Sequence, residues 1–171
     1  MNQKGMTLVE LVVVVALVAA VALASAIYAV SWISRERARS AVYQLQSFMQ
    51  LARIEAVSRN QDCRFLVDVS TRTLQVLDSN GTSTAADDIL LHETRLPEVV
   101  TFARPDSGNA VTLSQIGSTS VYETVFSSDG VVSLGTGIVA LYGGEEFNRV
   151  QVQGAGGVMV QQWDGSTWGS V

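Results

Sequence analysis

The sequence predicts an α+β fold in which one long amino-terminal helix packs on a carboxy-terminal antiparallel β domain. The first observation behind this prediction is an uncharged, apolar run of 24 residues from Leu11 to Ser34. The second is that apolar residues then recur at helical spacing as far as about Ser58. From Asp62 onward the period changes to two, in short segments separated by Gly, Ser and Asp. A long helix followed by a run of strands is typical of an α+β domain or of a sandwich packed by a helix.

The composition restricts the classes of function. The chain has 171 residues, which suits one modest domain plus the apolar run, and a net charge of −5. An acidic chain does not favour phosphate backbones, whose binding depends on clustered Lys and Arg. Cys63 is the only cysteine and His92 the only histidine, so neither an internal disulfide nor an ordinary zinc site can form. We therefore expect no cofactor, no metal and no nucleic acid partner.

The apolar run is long enough to cross a bilayer. As a helix, it would extend for about 36 Å, whereas a cleaved secretory signal has an apolar core of roughly 7–15 residues. It therefore predicts a transmembrane helix over residues 6–34. Glu10 lies at the start of this segment. A carboxylate at bilayer depth costs roughly 2.5–3.5 kcal/mol on insertion scales, so its presence needs an explanation.

The octapeptide KGMTLVEL resembles the processing site of type IV pilins and of the pseudopilins of type II secretion. The resemblance implies that residues 1–5 are a leader with Lys4 as its basic residue, and that a prepilin peptidase/methyltransferase cuts after Gly5. Met6 would become the N-methylated terminus, at a position where the family usually has Phe. Glu10 would become the acid at the fifth mature position. Major pilins carry a helix-loosening proline where this chain has Ile27, so we expect a continuous helix and a minor subunit.

Three explanations for Glu10 follow from the spacing. Its carboxylate can pair with the new ammonium of Met6 on a neighbouring subunit, which converts two costly charges into one satisfied pair when subunits stack in register. It can pair with Met6 of its own chain, since the two residues lie at i,i+4 on one helix. It can also sit among the lipid headgroups. The family resemblance favours the first explanation, in which Glu10 acts in assembly.

Residues 35–60 predict the amphipathic second half of the same helix. Its start is rich in arginine at positions 35, 37 and 39, which we interpret as a solvated face near the membrane. The alternatives are that this arginine-rich face recognises lipid or pairs with neighbouring subunits. The apolar positions at helical spacing are Ala38, Ala41, Val42, Leu45, Phe48, Met49, Ala52 and Ala56.

Residues 61–171 predict a β-rich globular domain. DCRFLVDV and RTLQVLD read as a β-hairpin around a Ser-Thr turn, and Asn80–Gly81 marks a polar loop. The segment FSSDG is interpreted as a hairpin turn. The further predicted strands are ILLHETRL, VVTFA, AVTLSQI, VYETVFS, GIVALYG, FNRVQVQ and VMVQQW.

The globular part resembles the GspH/FimT group within this pilin-like family. QLARIEAVSRNQ is similar to the end of the group's helix, and VFSSDG with FNRVQVQGAGGVMV is similar to its closing turn, strand, glycine and strand. The resemblance implies a pilin-like fold and one of two functions. We predict a minor pseudopilin in the tip of a type II secretion pseudopilus, and the alternative is a minor pilin that primes a type IV pilus.

Uptake of DNA, a further activity in this group, would need a basic patch on the globular domain. After Arg104 the only cation is Arg149. The same stretch carries the acids Asp106, Glu123, Asp129, Glu145, Glu146 and Asp164. DNA binding is therefore not expected.

Catalytic interpretations fit the sequence less well than structural ones. His92 has no second histidine with which to hold a metal, and residues 127–129 read as part of a turn and not as a nucleophile cluster. Asp87 and Asp88 fall short of the 6–8 oxygen ligands of calcium. The letters GGEEF match a cyclase signature only by chance, since they fall between two strands. We predict that the protein is not an enzyme.

Two further features are interpreted as packing residues. Cys63 is expected to be a small buried hydrophobe at the first strand. Trp163 and Trp168 either pack on the sheet or form a docking patch for a partner.

The resemblance also implies a location and partners. It implies a single-pass protein of the bacterial inner membrane with its globular domain in the periplasm, although the arginines after the span would favour the opposite orientation by a positive-inside count. The implied partners are the prepilin peptidase/methyltransferase, other pseudopilins or pilins, the inner-membrane assembly platform and membrane lipid.

Overall fold

The fold is one long helix packed on two antiparallel sheets, as predicted. The computed structural model describes residues 8–82 and 87–171, with the backbone alone described over 24–30. Helix α1 extends over Leu8–Arg59 and is helical at position 27, which confirms the expected continuity. It ends at Asn60, whose φ of 53° is left-handed, while the next amide, that of Gln61, donates to the carbonyl of Ala56 at 3.2 Å. An asparagine in this conformation is a common helix terminator.

Eleven strands follow within the described residues, and most lie where the alternation predicts them. VVTFA and AVTLSQI contribute only two paired residues each, with one additional bridge between Val111 and Val139. The short strands β7 and β11 were not predicted, because three residues give no periodicity. The strands are β1 Cys63–Asp68, β2 Thr73–Asp78, β3 Ile89–Arg95, β4 Thr101–Phe102, β5 Ser114–Gln115, β6 Val121–Phe126, β7 Val132–Leu134, β8 Gly137–Gly143, β9 Glu146–Val152, β10 Val158–Trp163 and β11 Trp168–Ser170.

The strands form two sheets. One has the order β3-β2-β1-β6-β5, with β7 also paired to β6, and the other has the order β11-β10-β9-β8-β4. The predicted hairpin of β1 and β2 is antiparallel with Cys63 opposite Asp78. The FSSDG segment is the turn between β6 and β7, closed by a bond from the amide of Ser127 to the carbonyl of Val131 at 2.9 Å. Both of these local predictions are confirmed.

The core lies where the second half of α1 meets both sheets. The helix contacts β1, β2 and β6 of one sheet and β8, β9 and β10 of the other. Of the eight apolar positions predicted for this face, all but Phe48 are buried, and Phe48 packs on the core from its edge. Four of them are alanines, whose short side chains allow the strands to approach the helix closely. The strands fill the space opposite with Phe65, Val67, Leu74, Val76, Phe126, Val139 and Val150.

A contact between two glycines and one arginine fixes the end of α1 to the β domain. The Nε of Arg53 donates to the carbonyl of Gly130 at 2.9 Å, and Gly130 adopts a φ of 79° in the FSSDG turn. Gly156, in the turn between β9 and β10, has a φ of 80°, and a Cβ placed on it would lie 1.9 Å from the carbonyl oxygen of Gly130. Glycine at position 156 is therefore required both by its left-handed backbone and by this close approach.

We predict that Gly156→Ala destabilises the protein strongly. The new methyl group adds the strain of a left-handed alanine, about 1–2 kcal/mol, to an overpacking cost of about 1–3 kcal/mol. Thermal unfolding of the full chain in detergent measures the loss. Gly81→Ala is the matched control, because Gly81 has a φ of 72° and nothing within 4 Å of an added Cβ. Equal losses in the two variants would contradict the contact.

Candidate functional site

The predicted processing residues lie outside the part of the chain that the structure describes. Lys4, Gly5 and Met6 all precede Leu8, the first described residue. Cleavage between Gly5 and Met6 therefore stays a prediction, as does methylation of Met6. The distance from the terminal ammonium to Glu10 is likewise outside the description, so the three explanations for Glu10 all stand on the sequence.

Glu10 lies close to Leu8, the first described residue of α1, and is exposed. Glu10 is also the only charged residue between Leu8 and Ser34. Any neighbour that covers this part of the helix must therefore accommodate one negative charge in otherwise apolar surroundings.

The first half of α1 presents its apolar side chains outward. From Leu8 to Leu23 the large hydrophobic residues are between 45% and 79% exposed, on every side of the helix. Monomeric soluble domains rarely expose a continuous apolar surface of this size, and such a surface marks a contact with a membrane or with another protein. The exposed half is the candidate assembly surface of this chain.

Over the described residues, no helix combines the length and the apolarity required to cross a membrane. The segment predicted to span, residues 6–34, includes positions 6, 7 and 24–30, whose side chains lie outside the description. The transmembrane half of the helix thus stays a prediction.

The start of the second half is tied to the β domain by charge and by close packing. Arg35 pairs with Glu145 at 3.0 Å and Arg39 pairs with Glu146 at 3.4 Å. These two glutamates belong to the GGEEF segment, which forms the turn between β8 and β9. A Cβ on Gly144 in this turn would lie 2.6 Å from the Cα of Arg35, so glycine is needed for the approach.

The arginine-rich face is therefore only partly free for external partners. Arg35 and Arg39 are engaged within the chain, whereas Glu36 and Arg37 are exposed. Exposed pairs of this type contribute roughly 0–1 kcal/mol each, so they orient the domain more than they stabilise it. Local sequence patterns do not reveal this pairing, because Arg35 and Glu145 are far apart in the chain.

The residues considered for catalysis occupy structural positions. The Nε2 of His92 lies 3.5 Å from Glu55 Oε1 on the neighbouring helix. In the FSSDG turn, the carboxylate of Asp129 accepts from the amide of Val131. Cys63 is fully buried, and burial raises the pKa of its thiol to about 11, which disfavours the reactive thiolate.

The adjacent acids Asp87 and Asp88 have separate partners. Asp87 accepts from the hydroxyl of Thr82 at 2.7 Å, whereas Asp88 lies 3.3 Å from the Nε of Arg64. Burial raises the pKa of Asp88 although Arg64 opposes the shift. Within the described residues, no group of three or more acids, histidines or cysteines is arranged to hold a metal.

Comparison with known proteins agrees with the geometry. Residues 41–156 match the family described as type II transport protein GspH, and residues 1–26 match the prokaryotic N-terminal methylation motif. No curated protein sequence matches the chain significantly.

Two groups of solved structures share the fold. The minor pseudopilin EpsH from the type 2 secretion system of Vibrio cholerae is 19% identical, with a TM-score of 0.51 over 72% of this chain and 95% of its own. The type IV minor pilin FimU of Pseudomonas aeruginosa is 15% identical, with a TM-score of 0.53 over 79% of this chain and 94% of its own. At these identities the likeness establishes a common pilin-like fold.

Proposed function

This chain belongs to the GspH family of type II transport proteins, and from that premise we propose that it is a minor pseudopilin of a type II protein secretion system. In this role it is a structural, non-catalytic subunit in the tip region of a periplasmic pseudopilus that drives export of folded proteins. The observation that carries the proposal is the GspH match over residues 41–156, which covers most of the helix face, the whole six-stranded sheet, and β4, β8 and β9 of the five-stranded sheet.

The exposed apolar half of α1 supplies the means of assembly. Before assembly, this half of the helix lies in the inner membrane and the globular domain lies in the periplasm. After assembly, it packs against the helices of other pseudopilins. Both environments remove the side chains of Leu8–Leu23 from water, and burial of apolar surface releases roughly 25 cal/mol per Å². The inner-membrane assembly platform and membrane lipid are the further partners of this surface.

Glu10 supplies the register of assembly in this proposal. The carboxylate pairs with the ammonium of Met6 on the neighbouring subunit, since an apolar environment leaves each charge costly when alone. A subunit shifted along the helix axis would leave both charges unpaired, so the pair selects one axial position.

Processing precedes assembly. The N-terminal methylation motif over residues 1–26 supports cleavage by a prepilin peptidase/methyltransferase after Gly5, which removes Lys4 with the leader. Cleavage creates the ammonium on which the role of Glu10 depends.

The mass of the chain purified from its native membrane tests the processing step. We expect loss of residues 1–5 and one added methyl group on Met6. Gly5→Ala should leave the full-length, unmethylated chain in the membrane, because the leader of the resembled family ends in glycine at the cut. Thr7→Ser, which changes a neighbouring residue conservatively, should be processed normally. A chain that begins at Met1 in the wild type would contradict the proposal.

Substitution of Glu10 tests the assembly step. Glu10→Ala should be cleaved and methylated normally, yet its recovery with other pilin-like subunits after cross-linking in the membrane should fall at least about tenfold, the effect of roughly 1.4 kcal/mol or more. Glu10→Asp should retain part of the recovery, since it keeps the charge on a shorter side chain. Glu36→Ala, which removes an exposed acid from the same helix, is the control. Normal recovery of Glu10→Ala would refute the inter-subunit pair and leave the intrachain or headgroup explanation.

A minor pilin that primes a type IV pilus is the second candidate. Its support is the likeness to FimU, whose TM-score and share of this chain slightly exceed those of EpsH. The acidic globular domain does not favour a role in DNA uptake in either case.

Deletion of the gene in its native host distinguishes the two machines. If the chain is the pseudopilin, we expect extracellular proteins to be lost from the medium and to accumulate folded in the periplasm, while surface pili remain. Loss of surface pili with normal secretion would select the pilin instead. Restoration by the wild-type chain and not by Glu10→Ala would connect either phenotype to assembly.

A further inference from the structure

A row of four aromatic side chains crosses four strands of the five-stranded sheet. The row consists of Tyr142 on β8, Phe147 on β9, Trp163 on β10 and Trp168 on β11. Tyr142 lies opposite Phe147 with the ring centroids 4.6 Å apart, and Trp163 lies opposite Trp168 at 5.4 Å. We call these four residues the aromatic row.

The aromatic row lies on the face of the sheet that points away from α1. On β9 the side chains of Asn148, Val150 and Val152 are buried toward the core, so alternation places Phe147 and Arg149 on the opposite face. Arg149 is paired in register with Gln161, which puts Gln161 and, two residues later, Trp163 on that same outer face.

Arg149 lies beside this row and is half-buried. Its Nε donates to Gln161 Oε1 at 2.7 Å, and its Cζ lies 4.4 Å from the centre of the Trp168 ring. Partial burial and, to a smaller degree, the nearby charge of Arg104 lower the pKa of Arg149, while Asp106 opposes the shift. Asp106 is paired with Arg104, and no carboxylate of the described residues lies within ion-pair distance of Arg149. The arginines that do pair with a carboxylate are Arg35, Arg39, Arg59, Arg64, Arg72 and Arg104.

A half-buried guanidinium without a carboxylate at ion-pair distance is an incomplete arrangement. Withdrawal of a charge from water costs free energy that a hydrogen-bonded opposite charge offsets. Stacking on Trp168 supplies part of that compensation, because a guanidinium is attracted to the face of an indole ring. A carboxylate from outside the chain would supply the remainder.

We propose that the aromatic row and Arg149 form a docking face for a segment of another protein that carries an Asp or Glu beside an apolar side chain. Trp, Tyr and Arg are the residues that contribute most to protein–protein binding energy. Arg149 binds the carboxylate in this arrangement, and the rings of the aromatic row cover the apolar neighbour. The proposal goes beyond the assembly role of α1, since it concerns the opposite end of the chain and a different chemistry.

Other classes of ligand fit this face less well. A sugar needs an open, flat ring surface, whereas one face of Trp168 is occupied by Arg149 and the two indole planes are inclined at 59°. A nucleic acid needs several cations, and β8 to β11 contribute Arg149 alone. Since the nearby Arg104 is already paired with Asp106, Arg149 is the cation that remains to bind one carboxylate.

Site-specific photocross-linking in the native host tests the docking face. A benzoylphenylalanine is placed at Ser170 in the full chain, because Ser170 pairs with Gln161 on the same face and is exposed without belonging to the aromatic row. We expect an adduct in which mass spectrometry maps the cross-link to within a few residues of an Asp or Glu of another protein. The same probe at Gln115, exposed on the other sheet, is the positional control.

Charge substitutions decide whether Arg149 recognises that carboxylate. Arg149→Glu should reduce the yield of the adduct at least about tenfold, and Arg149→Gln, which keeps donors without the charge, should reduce it less. Exchange of the mapped acid for Lys in the partner should restore the yield with Arg149→Glu. Arg95→Glu, the same charge change on the exposed edge of the other sheet, should have no effect.

Three results would overturn the proposal. They are an adduct with lipid or with the same chain alone, an equal yield from the probe at Gln115, and an unchanged yield in both Arg149 variants when limited proteolysis shows them folded.

Discussion

The burial of one face of α1 against both sheets is the interaction on which the rest of the structure depends. Leu45 and Met49 are fully buried between strands of the two sheets, and Ala41, Ala52 and Ala56 let those strands approach the helix. Neither sheet has another helix within the described residues to cover its inner face. The helix therefore forms the second layer that covers both sheets, and it contacts β1, β2 and β6 of one and β8, β9 and β10 of the other.

This arrangement gives one helix two different tasks. Its second half is a structural element of a folded domain, fixed at one end by the pairs of Arg35 and Arg39 and at the other by Arg53 against Gly130. Its first half extends beyond the domain with its apolar side chains exposed. Because the helix is continuous, a force or displacement applied to the exposed half is transmitted to the β domain without an intervening hinge.

The two sheets are also not equivalent. The five-stranded sheet presents a covered inner face, while its outer face carries the aromatic row and the half-buried Arg149. Around the six-stranded sheet several charged residues are paired, such as Arg64 with Asp88 and Arg72 with Glu98. An aromatic face beside a half-buried cation that has no carboxylate at ion-pair distance, far along the chain from the exposed half of α1, suits recognition of a second protein.

The sequence by itself determined the class of fold, the helix face and most of the strands, because hydrophobic periodicity is a local property of the chain. The family resemblance rested on equally local motifs, KGMTLVEL and QLARIEAVSRNQ. Only the tertiary structure decided which distant residues meet: Arg35 with Glu145, Gly130 with Gly156, and Trp163 with Trp168 beside Arg149. These contacts join residues from separate elements. Which residues meet depends on how the helix crosses the sheets and on strand register, and no single segment of sequence specifies either.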